Sequence, residues 1–229
     1  MQNRVYFISG IDTDIGKSIA TGMMARFLHR TGHEVITLKL VQTGNTDFSE
    51  DIARHREIMG CSLFPEDREH LTAPEIYTFP ASPHLSARID KRPVNLEKIL
   101  HAVHILQERY EIVLVEGAGG LAVPLNEDLL TVDFAAQQNW PLILVTSGRL
   151  GSLNHTLLSL EAAQRREIPV EGVIFNDFGA EDPRIASDTR EYLREYLCRE
   201  HPNAWLARLG RVDWEHPELA EMSDVGKME

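Results

Sequence analysis

The chain has 229 residues, 43% of them hydrophobic, with 23 Lys and Arg against 35 Asp and Glu, a formal charge of −12. That length and apolar content suffice to bury one substantial core, so residues 1–229 read as a single domain. The acidic balance argues against nucleic-acid and anionic-membrane partners, which call for a basic face, but not against a small anionic ligand held by a few local donors.

The first ten residues pass straight into a strand-like run, Val5 to Ile8, without the charged and apolar regions and cleavage site of a signal peptide. A helical pattern follows, with Ile19, Ala20, Met23, Met24, Phe27 and Leu28 on one face and Thr31-Gly32 as its stop. Val35 to Val41 reads as the second strand. The proline-containing stretch 42–93 is less regular, with short helices expected near Asp51 and after Pro83. A helix over 95–109 leads into a third strand, Ile112 to Glu116. Thr131 to Gln138 reads as a short helix, Pro141 to Val145 as the fourth strand, Ser152 to Arg166 as a helix and Val170 to Phe175 as the fifth strand. A helix over 183–199 and a short strand near Trp205 to Val212 complete the pattern. Strands apolar nearly throughout, alternating with helices, predict a doubly wound α/β domain whose mostly parallel sheet is covered on both faces. No run of about 18 apolar residues occurs, so no membrane span is expected. Cys61 and Cys198 form neither a disulfide framework nor a CxxC pair, and the expected compartment is the reducing cytosol.

Between the first strand and the first helix stands Gly10-Ile11-Asp12-Thr13-Asp14-Ile15-Gly16-Lys17-Ser18. This is where a phosphate-binding P-loop belongs. Glycines let the backbone curl its N–H groups toward phosphates, and the helix N-terminus adds partial positive charge. Lys17 supplies a cation for the β- and γ-phosphates, and Ser18 a hydroxyl for Mg²⁺. Five residues separate Gly10 from Gly16, one more than the usual spacing. A Mg·ATP site of this kind needs a carboxylate at the end of a nearby apolar strand, and Glu116, opening into Gly117-Ala118-Gly119-Gly120, fits. The same features also describe a polar strand end with a flexible turn. Lys39 lies near the carboxyl end of an otherwise apolar strand, where ligands of open α/β sheets bind. It either snorkels to water or meets an anion, such as a developing phosphoryl charge.

These segments, with Lys39-Leu40-Val41-Gln42-Thr43-Gly44, Ser82-Pro83-His84-Leu85-Ser86-Ala87 and Leu150-Gly151-Ser152-Leu153-Asn154-His155, occur in the order found in a known family. The chain resembles ATP-dependent dethiobiotin synthetase, longer phosphate loop included, from its N-terminus to about Asp177. The resemblance implies an ATP-dependent cyclo-ligase acting on 7,8-diaminopelargonic acid, CO2 and Mg·ATP. The carbamate formed on one amine would attack the γ-phosphorus, and the second amine would close the ureido ring to give dethiobiotin, ADP and phosphate. It also implies roles for individual residues. Lys39 would be the catalytic lysine, and Lys17 would hold the phosphates, wrapped by Thr13, Asp14, Ile15, Gly16, Ser18 and Ile19. Ser18, Asp51 and Glu116 would ligate Mg²⁺, with Gly117, Ala118 and Gly119 beside the nucleotide and Asn176 and Asp177 reading its adenine. Thr43 would bind carbamate or diamine. Gly151, Ser152, Leu153 and Asn154 would hold the substrate carboxylate across the interface of a homodimer, joined by Tyr192. Leu40 stands where the family usually has proline, and Asp213-Trp214 replaces its adenine-enclosing Pro-Trp.

Other signals read as structure. His101 and His104 stand one helical turn apart with no third ligand in range, so they belong to a solvated helix face. The charged runs Glu161 to Glu167 and Arg190 to Glu200 read the same way, and Trp140, Trp205 and Trp214 as packing. The competing reading is a P-loop switch ATPase of the ParA/MinD-like kind. It would place a signature lysine early in the loop, where Asp12 stands, and would need a basic or membrane-seeking surface that the acidic segment Glu215 to Glu229 does not offer.

Overall fold

The structure is a computed structural model and describes residues 4–177, 182–210 and 221–224. Strand β1 (Arg4–Gly10) is buried along most of its length and feeds helix α1 (Lys17–Arg30). The chain then runs through β2 (Val35–Lys39), β3 (Gln42–Thr43), α2 (Glu50–Met59), α3 (Pro65–Arg68), β4 (Ile76–Tyr77), α4 (Pro83–Ile89) and α5 (Leu96–Arg109). Next come β5 (Ile112–Gly120), α6 (Thr131–Gln137), β6 (Leu142–Ser147), α7 (Ser152–Gln164), β7 (Val170–Asn176), α8 (Pro183–Glu200), β8 (Trp205–Leu209) and β9 (Met222–Ser223).

The main sheet has seven strands in the order β2-β5-β1-β6-β7-β8-β9, all parallel except the β8/β9 pair. Its strands are apolar on both sides because both sides are covered. Val5 and Phe7 of β1 face a core completed by Ile99, Val103 and Leu106 of α5, Phe134 of α6 and Leu160 of α7. Tyr6 and Ile8, alternating with them, face a second core with Ala20, Met23, Met24 and Leu28 of α1. Trp140 stacks on Phe7 and meets Phe134 edge-on, and Trp205 covers Gly172, so both tryptophans pack as the sequence suggests. Trp214 and Asp213 lie outside the described residues.

The region 42–93 holds what the hydropathy pattern did not resolve. The expected strand over 35–41 stops short: β2 ends at Lys39, and β3, which begins just beyond it at Gln42, joins β4 in a separate two-stranded parallel sheet. The reason is lateral. The outer edge of β2 is met by the segment before β4, with Lys39 N–H donating to Thr72 O at 2.7 Å and Gln42 N–H to Glu75 O at 2.8 Å. Short elements such as α3, β4 and β9 have too few residues for a period to show in sequence.

The parallel order places β1 between β5 and β6, with β2 beyond β5. Chain direction across the sheet reverses beside β1, and in open α/β sheets such a reversal opens a crevice at the carboxyl ends of the strands. The loop after β1 and the ends of β2 and β5 all arrive there.

Candidate active site

The glycine-rich loop is shaped by two constraints. Gly16 sits at φ 90° as the N-cap of α1, a conformation that strains any residue with a Cβ. A Cβ there would also stand 2.4 Å from Asn176 Nδ2. Asn176, at the end of β7, donates from that nitrogen to Ile15 O at 3.0 Å and so ties the loop to β7. The first N–H groups of α1 have no acceptor within the helix and open at this end. Lys17 is buried and donates from Nζ to Asp12 O at 2.7 Å. Its pKa is pushed down to about 8, by burial first and then by the Lys39 ammonium, against the pull of Glu116, Asp51 and Asp14.

A charged centre forms where α1, α2, β2 and β5 converge. Lys39 and Glu116 are register partners on the β2/β5 pair, so the sheet itself sets them side by side. Lys39 Nζ lies 2.7 Å from Glu116 Oε1, 2.6 Å from Asp51 Oδ2 and 3.1 Å from Gly117 O. Ser18 Oγ, in the first turn of α1, donates to Asp51 Oδ1 at 2.7 Å or Glu116 Oε1 at 2.9 Å. Asp51 reaches this point from the first turn of α2, which Ser49 caps by accepting from Ile52 N–H. Burial acts on both members of the Lys39–Glu116 pair, and their attraction outweighs it. The lysine is pushed up to about 12 by Glu116 and Asp51, and the glutamate is held well below the usual carboxylate range by Lys39 and His55. Lys39 is therefore no snorkelling surface lysine; its side chain is 7% exposed and meets two anions.

The sequence reading missed His55. It is fully buried, with Nε2 2.8 Å from Glu116 Oε2 and Nδ1 2.9 Å from Thr37 Oγ1. The available signal was its position four residues after Asp51, which places both on one face of α2.

A cleft of about 1050 Å³ opens over this centre. Thr13, Asp14, Gly16, Lys17, Ser18, Ile19, Lys39, Thr43, Asp51, Glu116, Ala118, Gly119 and Asn176 all line it. Gly117 lies beneath, where a Cβ would stand 2.8 Å from the Phe7 ring. Asp177 is not among the lining residues; its carboxylate is bound by Arg208 at 2.5 Å and faces Arg190 at 4.0 Å. Gly151 to Asn154, where α7 begins, do not line this cleft; Ser152 instead lines a second cavity of about 430 Å³ with Ile11, Asp12, Arg149, Leu150 and His155. Leu153 packs on the Phe175 cluster, and Asn154 is exposed. Tyr192 is 44% exposed on α8. Among the described residues no three of His, Cys, Asp and Glu gather as metal ligands by themselves. The hard-oxygen set is the two carboxylates and the Ser18 hydroxyl. His101 and His104 are exposed on α5, with His104 paired to Glu108, as a solvated face requires.

Comparison with known proteins bears on the family and the fold. A family model described as an AAA domain matches residues 4–221. The ATP-dependent dethiobiotin synthetase of Haemophilus ducreyi is 48% identical over 200 residues, which cover 87% of this chain and 95% of its own. Its counterpart from Pasteurella multocida is 46% identical, over 87% of this chain and 94% of its own. Among solved structures, a ParA family ATPase from Chlorobium tepidum superposes with a TM-score of 0.53, covering 94% of this chain and 88% of its own at 18% identity, a likeness of fold alone. Near-half identity along almost the whole length of such enzymes, over a cleft that gathers the P-loop, Lys39 and Glu116, places this chain in the ATP-dependent dethiobiotin synthetase family.

Proposed function

We propose that this chain is an ATP-dependent ligase that joins CO2 to 7,8-diaminopelargonic acid and closes the ureido ring of dethiobiotin. The observation that carries this reading is the convergence of Lys39, Ser18, Asp51 and Glu116 at the end of the phosphate loop. A cation fixed between two carboxylates, beside a helix N-terminus, suits a reaction in which negative charge accumulates on carbamate and phosphoryl oxygens.

In the proposed sequence, one amine adds to CO2 and loses a proton to give a carbamate. A carbamate oxygen forms a bond to the γ-phosphorus as the bond to ADP breaks. The second amine then attacks the carbamoyl carbon, phosphate leaves, and that amine loses its proton as the ring closes. Lys17, which now donates to Asp12 O, turns to the β- and γ-phosphates, and the loop from Thr13 to Ile19 supplies N–H donors. Lys39 neutralises the carbamate and transferring phosphoryl oxygens, and Thr43, on the cleft wall, contacts the carbamate or diamine. Asn176 and Asp177 stand at the end of β7 for the adenine. Ser18, Asp51 and Glu116 form an all-oxygen set of the kind Mg²⁺ takes together with nucleotide phosphates, and they would hold that ion. Mg²⁺ bound there supplies neutralisation of phosphate charge. The proteins's contribution is otherwise positioning.

Residues 1–229 form one domain in this reading. Gly151 to Asn154 do not line the cleft that holds Lys39, and in this reading they serve the active site of a second copy, binding the diamine's carboxylate at the N-terminus of α7, with Tyr192 of α8 as a further contact. This reading makes the enzyme a homodimer with sites at the subunit interface. No helix among the described residues is long and apolar enough to cross a membrane, and Cys61 and Cys198 are free thiols, which suits a cytoplasmic location.

The test is ADP release measured with and without 7,8-diaminopelargonic acid plus bicarbonate. Release that depends on both supports the ligase. Hydrolysis indifferent to the diamine would instead favour a switch ATPase of the ParA kind, whose fold this chain shares.

A further inference from the structure

Behind Glu116 runs a buried polar chain that the proposed reaction does not use directly. Asp67, in α3, is fully sealed and receives Arg56 Nε and Nη2, each at 2.9 Å, together with Thr72 Oγ1 at 2.7 Å and Phe64 N–H at 2.8 Å. Arg56 Nη1 donates onward to Thr37 Oγ1 at 2.9 Å. Thr37 Oγ1 lies 2.9 Å from His55 Nδ1, and His55 Nε2 lies 2.8 Å from Glu116 Oε2. Thr37, His55 and Glu116 are all 0% exposed, and Arg56 is 2% exposed. Glu116 Oε1 is met by the Lys39 ammonium and the Ser18 hydroxyl, which leaves Oε2 to the His55 ring. Thr37 Oγ1, which accepts from Arg56, retains a hydrogen and a second lone pair for the contact with Nδ1. The ring is thereby held at both nitrogens.

The two oxygens of Glu116 thus have separate duties. Oε1 faces the cleft, where it meets Ser18 and Lys39, while Oε2 faces the interior and is fixed by His55. A carboxylate held at one oxygen keeps one rotamer and presents the other oxygen in a set direction. Asp51 and His55, one turn apart on α2, tie that direction to the helix bearing the second carboxylate of the centre.

We propose that His55 is a positioning residue: anchored through Thr37, Arg56 and Asp67, it orients Glu116 so that its cleft-facing oxygen receives the divalent cation accompanying the nucleotide. This rests on Glu116 being a metal ligand, as in the function proposed above, and adds the residue that aims it. His55 touches neither substrate nor metal in this role.

The test compares His55→Gln, whose amide nitrogen can still donate to Glu116, with His55→Leu, which fills similar space and cannot. Thr37→Val serves as a third variant, keeping the ring but removing its second anchor. Mn²⁺ binding is followed by electron paramagnetic resonance in the presence of ADP and without diamine, and ADP binding is measured separately in EDTA. His55→Leu is expected to weaken Mn²⁺ binding by about 10–100-fold, with metal-free ADP binding unchanged. Thr37→Val should shift it in the same direction, and His55→Gln should stay within about threefold of the parent. A folded His55→Leu protein that binds Mn²⁺ as tightly as the parent overturns the proposal. If His55→Leu does not fold, unchanged Mn²⁺ binding in Thr37→Val overturns it instead. Since no diamine enters the measurement, failure of the ligase reading would leave this result interpretable on its own.

Discussion

At the scale of single residues, Lys39 is defined by its two anions. Its ammonium lies within 2.7 Å of both Asp51 and Glu116 and remains charged far above neutral pH. Lys39→Gln keeps most of the volume and removes the charge. It is expected to lower diamine-dependent ADP release by about 10²–10³-fold, the usual cost of losing one preorganised stabilising group, with the far-ultraviolet circular dichroism unchanged. Turnover within a factor of about three of the parent would take Lys39 out of the mechanism. This residue was legible in sequence because a lysine in an apolar strand is costly without an anion. His55 was less legible, its spacing from Asp51 being the one signal. A histidine on an amphipathic helix carries no such anomaly until its ring is seen with Glu116 on one side and Thr37 on the other.

At the scale of elements, the position of Asp51 depends on where α2 begins. Ser49 Oγ accepts the Ile52 N–H at 3.2 Å and donates to Gln42 Oε1 at 2.5 Å, so one buried hydroxyl both caps the helix and ties it to β3. Glu50 and Asp51 in the first turn suit the positive end of the helix dipole. Ser49→Ala is expected to lower the free energy of unfolding by about 1 kcal/mol, read from urea titrations, because the cap is lost. An unchanged midpoint would mean that the cap contributes nothing. The long helices and the central strands were readable from their periods, since each buries a continuous face. The early end of the second strand and the start of β3 were not, because they depend on backbone donors meeting the carbonyls of Thr72 and Glu75, whose place there is a tertiary fact.

At the scale of the whole molecule, the chain displays large apolar side chains around α7: Leu150 is 86% exposed and Leu158 is 55% exposed. If a second copy covers this region, the parent protein sediments as a dimer. Leu150→Asp combined with Leu158→Asp should then sediment as a monomer, losing diamine-dependent ADP release while still binding ATP. A parent protein that is monomeric at micromolar concentration in the ultracentrifuge, yet fully active, would contradict sites shared between subunits.

By itself the sequence determined the doubly wound class, the phosphate loop and the family, because each rests on local order: apolar bursts of strand length, glycine spacing, and five short motifs in succession. Only the tertiary structure decided which of those motifs share one cleft. The parallel register of β2 on β5 sets Lys39 beside Glu116, and the crossing of α2 delivers Asp51 and His55 to the same pair. The start of α7 leaves Gly151 to Asn154 outside that cleft, with Ser152 on a different cavity. Residues as far apart as Lys39 and Glu116 meet only when strands pair, and pairing is fixed by burial of whole faces rather than by any property of the residues that meet.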